Sequence, residues 1–263
     1  SQEVSVKRTD FVPDSLPVLA IEYIISNKTS GLKDMNVSLY INSDLRPVWL
    51  GERSGMIDSR DTLLGVQDNN IVIIKDSLNE WYAGISSETD SFTVKNSKNS
   101  LLKGKGVSIK LGIPIFKLKA NEKKIIRFYI SGATKNITEV DQNLKIAKEN
   151  IQNLFAKKKQ RYAEIDDRAR ITIPDTLLMK AYQWGKYNTD WLIRDVPGMG
   201  QGLNAGLPDY PWFFSNDQSS AFNALVGTIE PQLFYNSWEM LLRISKEYNN
   251  NSGRIIHEVS TNG

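Results

Sequence analysis

Gly206–Leu225 reads Gly-Leu-Pro-Asp-Tyr-Pro-Trp-Phe-Phe-Ser-Asn-Asp-Gln-Ser-Ser-Ala-Phe-Asn-Ala-Leu. Pro208 and Pro211 fix φ and disfavour helix just before them, so the spacing predicts an ordered, extended loop from Gly206 to Trp212. Tyr210, Trp212, Phe213 and Phe214 put flat apolar faces into that loop, the kind of surface on which the C–H face of a pyranose packs. Ser215, Asn216 and Asp217 follow where a helical pattern with Ala221, Phe222 and Leu225 begins. Each of the three is a candidate N-cap, and a carboxylate at that point sits at the positive end of the helix dipole. The same residues serve equally as an ordinary cap followed by core aromatics.

Upstream, residues 1 to 132 read as β. Val18–Ser26, Val37–Ile41, Ile71–Ile74, Trp81–Ile85, Val107–Ile115 and Lys124–Ser131 are short runs of β-branched and aromatic residues, separated by turn formers such as Asn27–Gly31 and Asp68–Asn70. Val37, Leu39 and Ile41 alternate with polar neighbours, whereas Ile71-Val72-Ile73-Ile74 does not alternate and should be covered on both faces. The mixture predicts two packed antiparallel sheets. Asp44–Trp49 reads as a strand end or an exposed aromatic site, with core packing the better account of Trp49.

Residues 133–170 change period. Ile137, Val140, Leu144, Ala147, Ile151 and Leu154 form one apolar stripe, and Lys157-Lys158-Lys159 with Arg161 reads as the solvated end of that helix. A second helix is predicted from Pro174, as first helical residue, to about Ile193, with Leu177, Ala181, Trp184 and Trp191 on one face. Arg194–Gly202 is glycine-rich. It has neither a preceding strand nor a following Lys-Ser or Lys-Thr pair, so a flexible loop is a better account than a nucleotide site. A third helix runs from the opening stretch to Gly227, and a fourth from Pro231 to about Tyr248.

Composition narrows the classes. The net charge of +3 is small for 263 residues and the basic residues are scattered, which argues against a nucleic-acid partner. No apolar run approaches the roughly 18 residues of a membrane span. With no cysteine and a single histidine, His257, there is no disulfide frame, no thiolate nucleophile and no cysteine- or histidine-rich metal site. No cofactor is expected. The first residues show neither a basic n-region nor an apolar h-region, so a signal peptide is missing or already removed, and cysteine absence fits a cytoplasmic or an exported protein alike.

The run Pro-Asp-Tyr-Pro-Trp-Phe-Phe-Ser-Asn-Asp-Gln (208–218) resembles the first substrate-binding motif of the six-hairpin, (α/α)6-barrel glycosidases of the glycogen-debranching, amylo-α-1,6-glucosidase and glucoamylase-like group. Gly253-Arg254-Ile255-Ile256-His257-Glu258 resembles that group's Gly-Arg-Ile-Pro-His-Glu motif, with Ile256 in place of proline. The resemblance implies an antiparallel β-sandwich (1–132, incomplete), a helical linker (133–170) and the start of an (α/α)6 barrel (171–263), all part of a longer chain. It implies that Asp217 grips hydroxyls in the innermost subsite, with Asn216 as a second hydroxyl partner and Tyr210 and Trp212 as the packing surface. The family's frequent arginine before the aspartate is absent here. Trp191, Arg194 and Glu258 are candidates for the rim. Relatives of this kind invert configuration with a carboxyl pair on later hairpins, so no catalytic pair is assigned within this chain. The implied partner is an oligosaccharide or polysaccharide substrate. The alternative is a non-catalytic carbohydrate-binding or interaction module.

Overall fold

The structure is a computed structural model that describes residues 3–47, 51–67, 70–89, 91–97, 104–207 and 210–261. Trp49, the Asp68-Asn69 pair and Pro208 lie outside the described residues. Antiparallel sheets and four helices make up the described fold, which divides into two compact units. One comprises the chain up to Pro47 and Met56–Lys158. The other runs from Lys159 onward and includes the short stretch through Gly51–Gly55.

In the first unit the strands are β1 (Val4–Phe11), β2 (Val18–Asn27), β3 (Lys33–Met35), β4 (Ser38–Ser43), β5 (Asp61–Gln67), β6 (Ile71–Asp76), β7 (Tyr82–Ser87), β8 (Thr93–Asn96), β9 (Val107–Gly112), β10 (Phe116–Leu118) and β11 (Lys123–Ala133). A six-stranded sheet has the order β1-β2-β11-β7-β6-β5, a three-stranded sheet the order β4-β9-β8, and β3 pairs with β10. Val72, Ile74, Ile85 and Phe128 of the large sheet share a buried core with Ile109 and Leu111 of the small one. Val37, just before β4, and Leu39 and Ile41 on it turn toward that core while Tyr40 stays exposed.

The non-alternating run Ile71–Ile74 is covered twice. Val72 and Ile74 enter the inter-sheet core, and Ile71 and Ile73 enter a second core with Val140, Leu144, Ala147 and Ile151 of helix α1 (Ile137–Asp167). A helix therefore covers the second face of the large sheet, which the expectation of two packed sheets did not include. Gly84 on β7 makes that approach possible, since a Cβ there would lie 2.1 Å from Val140 Cγ1. The predicted runs do not include the strands β1, β3, β5, β8 and β10. β1 is largely exposed, and Gly65 interrupts β5 with a register shift.

The second unit holds α2 (Thr176–Leu192), β12 (Ile193–Val196), β13 (Gly200–Gly206), β14 (Tyr210–Phe214), α3 (Ser215–Leu225), α4 (Pro231–Tyr248) and β15 (Glu258–Val259). Three local expectations are corrected here. Pro174 precedes the helix, whose N-cap is Asp175; that side chain accepts from the N–H groups of Leu177 and Leu178. The described residues of the glycine-rich stretch Arg194–Gly202 and of the stretch Gly206–Trp212 are strand apart from the turns at Pro197–Met199 and Leu207. They contribute to β12, β13 and β14 of a four-stranded antiparallel sheet ordered β12-β13-β14-β15. The basic cluster Lys157–Arg161 lies inside α1, not at its end, where Lys158 pairs with Asp14 and Arg161 with Asp190 at 2.5 Å each.

Two small cores hold the second unit. Phe213 packs with Met240, Leu241 and Ile244, and Leu203 packs with Phe222, Ile229 and Leu233. α3 ends at Leu225 and Gly227 follows at φ +84°, the left-handed conformation that suits the residue after a helix. No helix among the described residues is long and apolar enough to cross a membrane.

Candidate functional site

β14 shows why the opening stretch is a strand. Its burial alternates, with Pro211 and Phe213 buried and Tyr210, Trp212 and Phe214 partly or fully exposed. Period-two alternation turns the first pair toward the α4 core and the other three rings to the opposite face. Trp212 and Phe214 stack with ring centroids 6.5 Å apart and planes at 24°. The edge of that row meets His257, whose ring lies 5.9 Å from Phe214 at 89°.

The strand runs directly into α3. Phe214 is the N-cap residue and makes no side-chain capping bond, so none of Ser215, Asn216 and Asp217 caps the helix as expected. Ser215 is used elsewhere: its N–H donates to the His257 carbonyl at 3.0 Å and its hydroxyl to the Ile256 carbonyl at 2.5 Å. These bonds, with the Phe214–Glu258 and Phe213–Val259 pairs, fasten the C-terminal segment to the start of α3.

Asn216 and Asp217 are both exposed in the first turn. Asp217 makes no ion pair or hydrogen bond among the described residues, and it lines a cavity of about 340 Å³. The lining of this cavity also includes Thr189 and Leu192 of α2, Leu203 and Asn204 of β13, Phe214 of β14, and Gln218 and Leu225 of α3. Asp217 is the one acidic residue among the described residues that line it. The arrangement offers a carboxylate acceptor, an aromatic ring and aliphatic side chains in a volume at the lower end of the roughly 300–1,000 Å³ usual for small-molecule sites.

Asn216, Tyr210 and Trp212 are absent from that lining, and the remaining expected residues fall in four places. Tyr210, 47% exposed, and Trp212 belong to the outward face of β14. Glu258 stands in register beside Phe214 and its carboxylate lies 3.4 Å from His257 Nδ1. Arg194 is exposed on β12, opposite Gly202, away from the cavity lining. Trp191 is also absent from that lining. It joins Trp184, Tyr187 and Tyr162 in a separate aromatic group on α2 and α1, with its ring centroid 5.8 Å from Trp184 and its Nε1–H donating to Tyr162 Oη at 2.5 Å.

Two residues of the wall were not singled out from sequence. Asn204 and Gln218 are each only 3% exposed. Neither polar atom of the Asn204 amide has a hydrogen-bond partner, and Gln218 Nε2 has none. Amides carry no periodic signal, and only the pairing of β13 with β14 and α3 brings them to one place. The described residues contain no cluster of three or more His, Asp or Glu arranged to hold a metal ion.

No protein-family model matches the chain, and no curated protein matches it by sequence. Among solved structures it is similar to a candidate kojibiose phosphorylase from human microbiome, with a TM-score of 0.47 and 13% identity over 81% of this chain and 30% of that one. It is also similar to a candidate aldose 1-epimerase from Klebsiella pneumoniae, with a TM-score of 0.34 and 10% identity over 55% of this chain and 54% of that one. The chain thus spans less than two thirds of the length of either.

Proposed function

We propose that this chain is the substrate-side part of a carbohydrate-active enzyme. In its finer form the proposal is an inverting glycoside hydrolase acting on α-glucans or related oligosaccharides, with residues 171–263 as the first part of a six-hairpin barrel of the glycogen-debranching or glucoamylase-like kind. The observation that carries the reading is Asp217. Its carboxylate has no partner among the described residues, sits in the first turn of α3, lines a cavity and directly follows the aromatic row of β14. A structural cap would have used that carboxylate on the backbone, and Asp175 on α2 shows what such a cap looks like in this protein.

The role assigned to Asp217 is to accept hydroxyl hydrogens of a sugar held against Phe214, the ring of β14 that lines the same cavity. Hydrolysis needs two carboxyl groups flanking the scissile bond. With one acidic residue in the cavity wall, the chain by itself binds and does not hydrolyse.

The test is calorimetric titration of the chain with maltose and D-glucose, alongside Asp217→Ala, and an assay for glucose release from maltooligosaccharides. Saturable binding by the wild type that Asp217→Ala removes, with no glucose released, is the expected result. Binding that survives Asp217→Ala removes the role given to this carboxylate, and hydrolysis by this chain overturns the absence of a catalytic pair. In a longer enzyme containing this chain, Asp217→Ala weakens substrate binding and slows turnover together. Abolished turnover at an unchanged KM would make Asp217 the proton donor instead.

A further inference from the structure

Asp217 has a neighbour with complementary chemistry. Gln218 is nine-tenths and more buried, and its side chain is held at one end, where Oε1 accepts the Leu203 N–H at 3.0 Å. That bond ties β13 to the first turns of α3. Gly202 makes room for it, because a Cβ there would stand 2.9 Å from Gln218 Oε1 and 3.0 Å from the Phe213 ring. With Oε1 fixed, the planar amide has a set orientation and Nε2 is its free end. Nε2 has no partner, and Gln218 and Leu203 both belong to the wall of the Asp217 cavity.

A buried N–H group without an acceptor is costly, and native proteins keep such groups where a ligand or an ordered water completes them. Asp217 supplies an acceptor with no donor, and Gln218 a donor with no acceptor, on consecutive residues of one helix turn. A hydroxyl both donates and accepts, so a pair of hydroxyls on adjacent carbons satisfies both. An anionic ligand meets the Asp217 carboxylate, and a cationic one brings only further donors to the Gln218 amide, which needs an acceptor.

We infer that Gln218 is a specificity-determining residue of this site, donating from Nε2 to one hydroxyl of a neutral pyranose while Asp217 accepts from its neighbour. The inference rests on the carbohydrate reading above and adds to it the class of sugar, uncharged at both recognised positions. Leu192 and Leu225 of the same lining suit the C–H face of the same ring.

The experiment titrates the full chain with D-glucose, D-mannose, D-galactose and maltose, and with D-glucuronate and D-glucosamine as charged counterparts. Gln218→Glu keeps the oxygen that accepts from Leu203 and replaces the donor by an acceptor. It is expected to weaken binding of the neutral sugar by about tenfold or more. In the wild type, the Gln218 side-chain amide resonances shift on saturation with that sugar, a readout that holds even where the variant does not fold. Neutral-sugar binding that Asp217→Ala removes, combined with unmoved Gln218 amide resonances or Gln218→Glu affinity within about twofold of wild type, overturns the inference and leaves the carbohydrate reading standing. Preference for a charged sugar over the neutral ones also overturns it. Binding of none of these sugars by the wild type overturns both.

Discussion

Lys186 donates from Nζ to the carbonyl oxygen of Asp166 at 2.7 Å, and the same ammonium reaches the Arg168 carbonyl at 3.0 Å. Both acceptors lie at the C-terminal end of α1, where the last carbonyls have no partner within the helix. α1 has no basic residue in its own last turn, so the cation that serves this end comes from the middle of α2. The Tyr187 hydroxyl, donating to Asp166 Oδ1 at 2.6 Å, adds a second tie, and burial together with this bond pushes the phenol up to about 12.

Lys186→Met keeps most of the buried stem and removes the charged donor. Two charge-assisted bonds are lost and two carbonyls are left unserved, so the expected cost is about 2–3 kcal/mol. Urea unfolding followed by tryptophan fluorescence reports it through Trp184 and Trp191. An unchanged midpoint would show that the carbonyls are served equally well by water.

Gly202→Ala tests the link between β13 and α3. The added methyl meets Gln218 Oε1 and the buried Phe213 ring, so either the Leu203–Gln218 bond breaks or the ring moves. Overpacking of this kind costs about 1–3 kcal/mol. Amide exchange of the Leu203 N–H, faster in the variant than in the wild type, identifies the broken bond as the cause.

Phe214→Leu separates a flat wall from a merely apolar one. The change keeps apolar bulk beside Asp217 but removes the stacking against Trp212. Stability falls by less than about 1.5 kcal/mol, the usual limit for swaps of similar volume. Saccharide affinity, measured by calorimetry, falls by roughly threefold to tenfold, matching the 0.5–1.5 kcal/mol that aromatic contacts add beyond buried area. Full retention of affinity would remove the packing role given to the ring.

Asp61 gives the first unit a pH dependence of unusual sign. Burial pushes its carboxyl up to about 6, against the pull of the Leu45 N–H at 2.9 Å, and repulsion from Asp44, Asp76 and Asp58 acts in the same direction as burial. An unfolded aspartate titrates near 3.9, so between about pH 4 and pH 6 the folded form binds the proton that the unfolded form has released. Stability from this group therefore falls as pH rises through that window and stays reduced above it. Asp61→Asn retains an acceptor for Leu45 and removes the titration. The difference in unfolding midpoint between variant and wild type should be near zero at pH 4, grow to pH 6 in favour of the variant, and stay level to pH 8. A difference of the opposite sign would show that the Asp61 charge is paired in the fold.

Local period along the chain is enough to place several parts of this protein. The stripe Val140, Leu144, Ala147 and Ile151 marked α1, the run Ile71–Ile74 marked a strand covered on both faces, and Asp217 was placed in the first turn of a helix. Each of these follows from which side chains recur on one face, a property of neighbours along the chain. Tertiary structure alone decided that Tyr210–Phe214 is a strand, because its partners are Asn204 and Gly206 on one side and Glu258 and Val259 on the other. The two prolines suggested a loop. Pairing with β13 and β15, which lie on either side of it, made the segment a sheet strand and set the row of rings. The same holds for Gln218 and Lys186. A polar side chain's role depends on which backbone groups lack a partner nearby, and those groups are supplied by segments 15 and 18–20 residues away in the chain, brought close only by packing.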